Sequence, residues 1–192
     1  MMTLTGNYVE TDIGAMTLAD IALGLSRIPR FGGQTLFEWH VADHVVCATN
    51  YLERLVDLGF ESDGATKLLP LHVLLHDAHE AMTGDIPTHF KTPDMKALQA
   101  KLDERIYLSL GFEMPNAVEV EIIKFVDRAM LLAEAKVVTP HTTYEKICWE
   151  TADAAMPTAV EVVEQHLHND VNSREAFLAI ANTFTEASHY VR

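Results

Sequence analysis

Cysteine is nearly absent from this chain. Its two copies in 192 residues, Cys47 and Cys148, lie in apolar surroundings with no CxxC spacing, which argues against a disulfide framework and a cysteine-only zinc site. Basic residues are scarce as well, 14 against 28 acidic ones, and the resulting formal charge of −14 is spread along the chain. Such a surface repels polyanions, so long nucleic acid and anionic membranes are poor partners, while a small anionic substrate would need local cations or a bound metal. No apolar run approaches the roughly 18 residues needed to span a bilayer. The N-terminus, MMTLTGNYVETDIG, is neither basic nor followed by a long apolar stretch, so a soluble, unexported, cytoplasmic protein is expected. HExxH and a nucleophile elbow are missing, as are internal repeats and low-complexity tracts.

What is present concentrates between His72 and Lys91, HVLLHDAHEAMTGDIPTHFK, with four histidines, two aspartates, a glutamate and a lysine in one predicted helix and its exit loop. His76 and Asp77 are neighbours about 100° apart on a helix, and Glu80 shares their face at i+4 and i+3. An imidazole and a carboxylate converging on one point suit a divalent metal ion, with a further carboxylate placed to handle a proton. At least two more ligands must come from elsewhere. His72, His76 and His79 also fall roughly on one face, but three ligands from one straight helix strain the geometry of an all-histidine zinc site.

Elsewhere the pattern is helical. Thr17 with Asp20 caps a helix through Leu18, Ile21, Ala22, Leu25 and Ile28, ended by Pro29. RFGGQTLFE follows; Gly32-Gly33 is a turn that either only reverses the chain or presents Arg30 as a phosphate fork and Phe31 as a ring for a base. A second helix from about Trp39 to Leu58 carries Val41, Val45, Ala48, Leu52, Leu55 and Val56 inward, with His44 on the same face and His40 as its rival at the helix start. Gly84 caps the organising helix, and Lys91 ends its loop as a candidate phosphate contact. Thr92-Pro93 opens a helix closed near Gly111, and Asn116 with Glu119 opens another, with Val120, Ile123, Val126, Met130 and Leu131 inward. Asp127 lies on that stripe, where a carboxylate needs a metal or an ion pair with Arg128 or a histidine. Residues 137–156, with Trp149, read as irregular, and two packing or oligomer helices follow, 157–168 and after Ser173.

A lone His44, the His76-Asp77 doublet and a distant Asp127 resemble the signature of the HD-domain metal-dependent phosphohydrolases. The resemblance extends to RFGGQT and VADH before the first ligand and to HDxxE followed by GDIP and a lysine, over residues 17–136. These words are similar to the branch containing the 5′-deoxynucleotidases and the phage dATP triphosphohydrolases. It implies an all-α HD-domain bundle of about six to eight helices in one domain, 1–192, with a core of 17–136 and C-terminal helices 157–190. It further implies that His44, His76, Asp77 and Asp127 hold a divalent ion (Co, Mn, Zn or Mg), that Glu80 is the acid/base or orients water, and that Arg30 and Lys91 grip phosphate. Phe31 would stack on the base where the nucleotidases carry tryptophan, and Asp85 and His79 join the substrate-binding set. The implied function is attack of a metal-bound water on a deoxynucleotide, with a dNTP triphosphohydrolase leaning to dATP preferred. A 5′-deoxynucleotidase on dNMPs is the nearest alternative, and a non-catalytic, metal-stabilised nucleotide-binding protein the alternative of another class. A homo-oligomer is expected.

Overall fold

The computed structural model describes residues 16–140 and 156–189. Among them are eight α-helices and no strand: α1 (Leu18–Leu25), α2 (Val41–Asp57), α3 (Leu69–Leu75), α4 (Glu80–Thr83), α5 (Pro93–Leu110), α6 (Ala117–Val138), α7 (Met156–His168) and α8 (Ser173–His189). The all-α expectation holds. Trp149, Cys148 and the irregular stretch lie largely outside the described residues; the last turn of α6 runs into the stretch's start and α7 begins at its end.

The caps expected from sequence set the helix starts. Thr17 and Asp20 form a reciprocal capping box, as do Asn116 and Glu119, and Thr92 accepts from the Met95 N–H. Gly111 closes α5 in the left-handed conformation, which costs a glycine little. Glu119 also accepts from the N–H and hydroxyl of Thr66, tying the loop before α3 to the start of α6.

Helix α2 is central and packs against α1, α3, α6, α7 and α8. One apolar cluster joins Tyr51, Leu52, Val73, Val126, Met130 and Val163; a second joins Ile21, Leu25, Val45, Leu71, Ile106 and Phe177. The C-terminal helices are therefore part of the core. His166 and Ser173 both bond Asp43 near the start of α2, fastening α7 and α8 to it. Two inward assignments fail: Val56 and Leu131 are exposed, each on the solvent side of its helix. Ile122 and Leu132 are buried instead. No helix among the described residues is long and apolar enough to cross a membrane.

Helices α1 and α4 touch at Gly24, where an added Cβ would sit 2.8 Å from Ala81 Cβ and 3.1 Å from its Cα. Backbone cannot yield as a flexible side chain would. Gly24→Ala is expected to destabilise by about 1–3 kcal/mol, lowering the melting temperature by roughly 3–10 °C in a domain of this size; calorimetry measures this directly.

Candidate metal centre

The segment that carries the site is not one straight helix. Between α3 and α4, Ala78, Glu80 and Ala81 donate to the carbonyls three residues back, of Leu75, Asp77 and Ala78. Three residues per turn eclipse positions i and i+3, which sets Asp77 over Glu80. The expected continuous helix is corrected in this respect.

Opposite the junction stand His44 on α2 and Asp127 on α6. His44 Nε2 lies 3.3 Å from His76 Nε2, 3.2 Å from Asp127 Oδ1 and 3.7 Å from Asp77 Oδ2. His76 Nε2 is 3.3 Å from Asp77 Oδ2 and 3.7 Å from Asp127 Oδ1. The other ring nitrogens are committed: His44 Nδ1 lies 2.7 Å from Glu134 Oε1, and His76 Nδ1 lies 2.7 Å from the Val73 carbonyl. A carbonyl only accepts, so His76 carries a proton on Nδ1, and the buried carboxylate of Glu134 asks the same of His44. With those protons on Nδ1, each ring in its neutral form presents an Nε2 lone pair to the other. Such a pair, with two carboxylate oxygens beside it, fits a divalent ion.

The electrostatics show how strongly the cluster favours positive charge. Burial opposes ionisation of His44, as does Arg30, yet Glu134 and Asp127 raise its pKa to about 9. Burial likewise opposes the charged form of His76, but Asp77 and Asp127 push it well above the usual range. Asp77 and Asp127 are held far below theirs, against burial, by these two imidazoles. A metal ion would take over the role that the ring protons play here.

Glu80 is almost fully buried, with Lys91 Nζ 3.7 Å from its Oε1. Burial first, then the negative charges of Asp77 and Asp85, raise its carboxyl from 4.5 to about 8, against Arg30 and Lys91. In the metal-free protein the folded state thus keeps a proton that the unfolded chain releases. Stability from this group is full below the ordinary 4.5 and is lost as pH rises towards about 8. Glu80→Gln is expected to flatten that part of the slope, measurable as a smaller drop in melting temperature between about pH 5 and about pH 8.

Arg30 does not present a free fork. Its Nε and one terminal nitrogen donate to Glu134 Oε2 at 3.2 and 2.9 Å, and the other terminal nitrogen lies 3.8 Å from Asp77. Burial opposes its charge, but Glu134 and Asp77 hold it firmly protonated. Phe31, Gly32 and Gly33 all have positive φ, and this turn tucks the Phe31 ring against the core with the Arg30 guanidinium carbon 5.6 Å from its centroid. His40 is the N-cap residue of α2, bonded to Asp43, and takes no part in the cluster. His72 faces Glu119 at 3.2 Å and Tyr107, so the all-histidine arrangement is not formed. His79 is buried with Nδ1 2.9 Å from Asp103 Oδ1. Asp85 is partly buried, and its charge reaches Glu80 and Arg30. Sequence reasoning missed Glu134 and Asp103. Glu134 had one available signal: it follows Asp127 by seven residues, two helical turns, and so shares its face.

A solved structure, the cyanophage S-2L HD phosphohydrolase DatZ bound to dA and one catalytic Zn2+ ion, matches 90% of this chain and 99% of its own with a TM-score of 0.53 and 22% identity. The chain has the HD-phosphohydrolase fold. In sequence it is 31% identical over 131 residues to the uncharacterized protein YfdR of Escherichia coli K12, spanning 67% of this chain and 65%, just under two thirds, of that relative's length. No family model matches the sequence. Within this HD fold the four clustered residues come from three separate elements, α2, the α3–α4 junction and α6.

Proposed function

We propose that this protein is a metal-dependent phosphohydrolase of deoxynucleotides, removing the phosphate chain of a dNTP, with a leaning to dATP, to leave nucleoside and tripolyphosphate. The observation that carries the reading is the convergence of His44, His76, Asp77 and Asp127 around two facing Nε2 atoms, with buried Glu80 one tight turn from Asp77. DatZ, a phosphohydrolase of this fold bound to a deoxynucleoside and zinc, supports it. These four side chains would hold a divalent ion, which supplies Lewis acidity to water and phosphate.

The remaining steps belong to the chain's own residues. Water would add to the α-phosphorus and give up a proton, the bond to the 5′ oxygen would break, and that oxygen would take a proton in exchange. Glu80, buried and with Lys91 Nζ 3.7 Å from its Oε1, is suited to pass a proton between the water and that oxygen. Lys91 and the Asp77-facing edge of Arg30 set positive charge beside the phosphates. Phe31 is the proposed platform for the base, and Asp85 and His79 the polar contacts near the sugar. Exposed Leu36 and Phe37, on the loop after Gly33, support a homo-oligomer.

One observation favours a second reading, a 5′-deoxynucleotidase on dNMPs. Glu134 holds two nitrogens of Arg30, leaving less cationic surface for three phosphates. Chromatography of products from metal-loaded protein given each dNMP, dNTP and rNTP separates the two, with Glu80→Gln as control. Nucleoside plus tripolyphosphate is expected; phosphate release from dNMPs alone would replace it with the nucleotidase. Metal-loaded protein that forms no product from any of them would leave a nucleotide-binding protein.

A further inference from the structure

Outside the metal centre, the last turns of α2 and of α7 enclose a cavity of about 270 Å³. Asn50, Glu53, Arg54 and Asp57 line it from α2, at the i, i+3, i+4 and i+7 spacing of a single helix face. Val162, Gln165, His166 and Asn169 meet them from α7 and its end with the same spacing. Faces that two helices turn towards each other are ordinarily apolar, and this pair is almost wholly polar.

His166 is the buried member, and one of its ring nitrogens is unanswered. Its Nε2 lies 2.9 Å from Asp43 Oδ1 and 3.0 Å from Ser173 Oγ, while the Ser173 hydroxyl donates its one proton to Asp43. Both neighbours therefore accept from the ring, so Nε2 carries the hydrogen and Nδ1 of the neutral ring holds a bare lone pair. Trp39 packs edge to face on the ring, 5.4 Å between centroids, yet His166 Nδ1 and Trp39 Nε1 both lack a hydrogen-bond partner. A stranded acceptor in the wall of a polar cavity calls for a donor from outside the chain.

The charge of the cavity selects that donor. Arg54 is already engaged: its guanidinium donates to Gln165 Oε1 and lies 3.5 Å from Glu161 Oε2. Among the described residues no ion pair answers Glu53 or Asp57, and the C-terminal ends of two helices add their partial negative charge. A cation is therefore favoured over an anion. A metal ion does not fit, because among the described residues no three His or carboxylate donors of this cavity lie within 4.8 Å of one another. Separated acceptors fit an extended molecule instead, with N–H donors at both ends and an apolar middle.

We propose that this cavity binds a small aliphatic diamine, with one ammonium on Glu53 and Asp57 at the exposed rim and the other on His166 Nδ1 in the wall. Its methylenes would lie against Val162 and Val171, which complete the lining. The space is sufficient, since an apolar cavity of roughly 150 Å³ already admits benzene. Such an occupant joins α7 to α2 beside the bonds from His166 and Ser173 to Asp43, and its binding is independent of the hydrolysis proposed above.

The test is calorimetric titration of the full-length protein with diaminobutane at physiological ionic strength, where diffuse attraction to an acidic surface is screened. Butylamine is the single-ammonium control, and nitrogen nuclear magnetic resonance follows the imidazoles. One diamine per chain is expected, with a shift of the His166 Nδ1 signal and much weaker binding of butylamine. Glu53→Gln combined with Asp57→Asn, both at exposed positions, should weaken binding by about tenfold, since each exposed ion pair contributes up to about fivefold. Asn169→Trp, also at an exposed position, should fill the cavity and abolish binding while circular dichroism stays unchanged. No saturable diamine binding overturns the proposal and leaves the cavity to water. Binding that is indifferent to both variants, or that leaves the His166 Nδ1 signal unmoved, overturns it as attraction to the acidic surface at large.

Discussion

Asp77→Ala is expected to remove bound metal and turnover together. Its Oδ2 lies within 3.7 Å of both imidazole Nε2 atoms and 3.8 Å from Arg30, so the substitution deletes a ligand and an anionic neighbour of the buried guanidinium at once. Loss of a direct ligand should weaken metal binding by at least about 100-fold, since even outer partners of ligands cost 10- to 100-fold. Losing the several kcal/mol of charge stabilisation an ion provides lowers turnover by on the order of a thousandfold. Metal content by mass spectrometry and product formation by chromatography read the two effects separately. A variant with full metal content would place the ion elsewhere, and one with full turnover would remove it from the reaction.

Glu134→Gln should be nearly as damaging, although Glu134 touches neither the proposed ion nor the substrate. Its carboxylate is completely buried, receives two donors from Arg30 and faces His44 Nδ1 at 2.7 Å. Burial opposes its ionisation, yet Arg30 and His44 hold its pKa below the usual range. The amide keeps the shape but strands the Arg30 charge in the interior, and breaking a buried pair in this way costs about 3–5 kcal/mol. The melting temperature is expected to fall by roughly 10 °C in a domain of this size. The same amide no longer enforces the His44 tautomer, so metal affinity should drop by about 10- to 100-fold, and saturating metal should recover part of the turnover. A variant that melts like the unaltered protein and binds metal equally well would show that Glu134 merely fills space.

Both predictions bear on what could be read from the chain. The starts of α1, α5 and α6 were legible because a cap acts within four residues: Thr17 with Asp20, Thr92 with the Met95 N–H, Asn116 with Glu119. His76 and Asp77 could be nominated as an adjacent imidazole and carboxylate flanking one point, His44 and Asp127 as polar residues on apolar faces, where isolation is costly, and the structure brings all four together. Local spacing could not say which of several polar neighbours each would meet. Arg30 looked like a free phosphate fork until the fold placed Glu134, 104 residues away, against it. His72 shares a helix with His76 but meets Glu119 from α6, and the tightened turn that stacks Asp77 on Glu80 replaces an ordinary helical turn. Sequence by itself determined where most helices begin and which polar residues needed partners, because caps and amphipathic spacing are local. Only the tertiary structure decided which carboxylate answers which cation, because burial makes every such charge depend on partners that other helices bring to it.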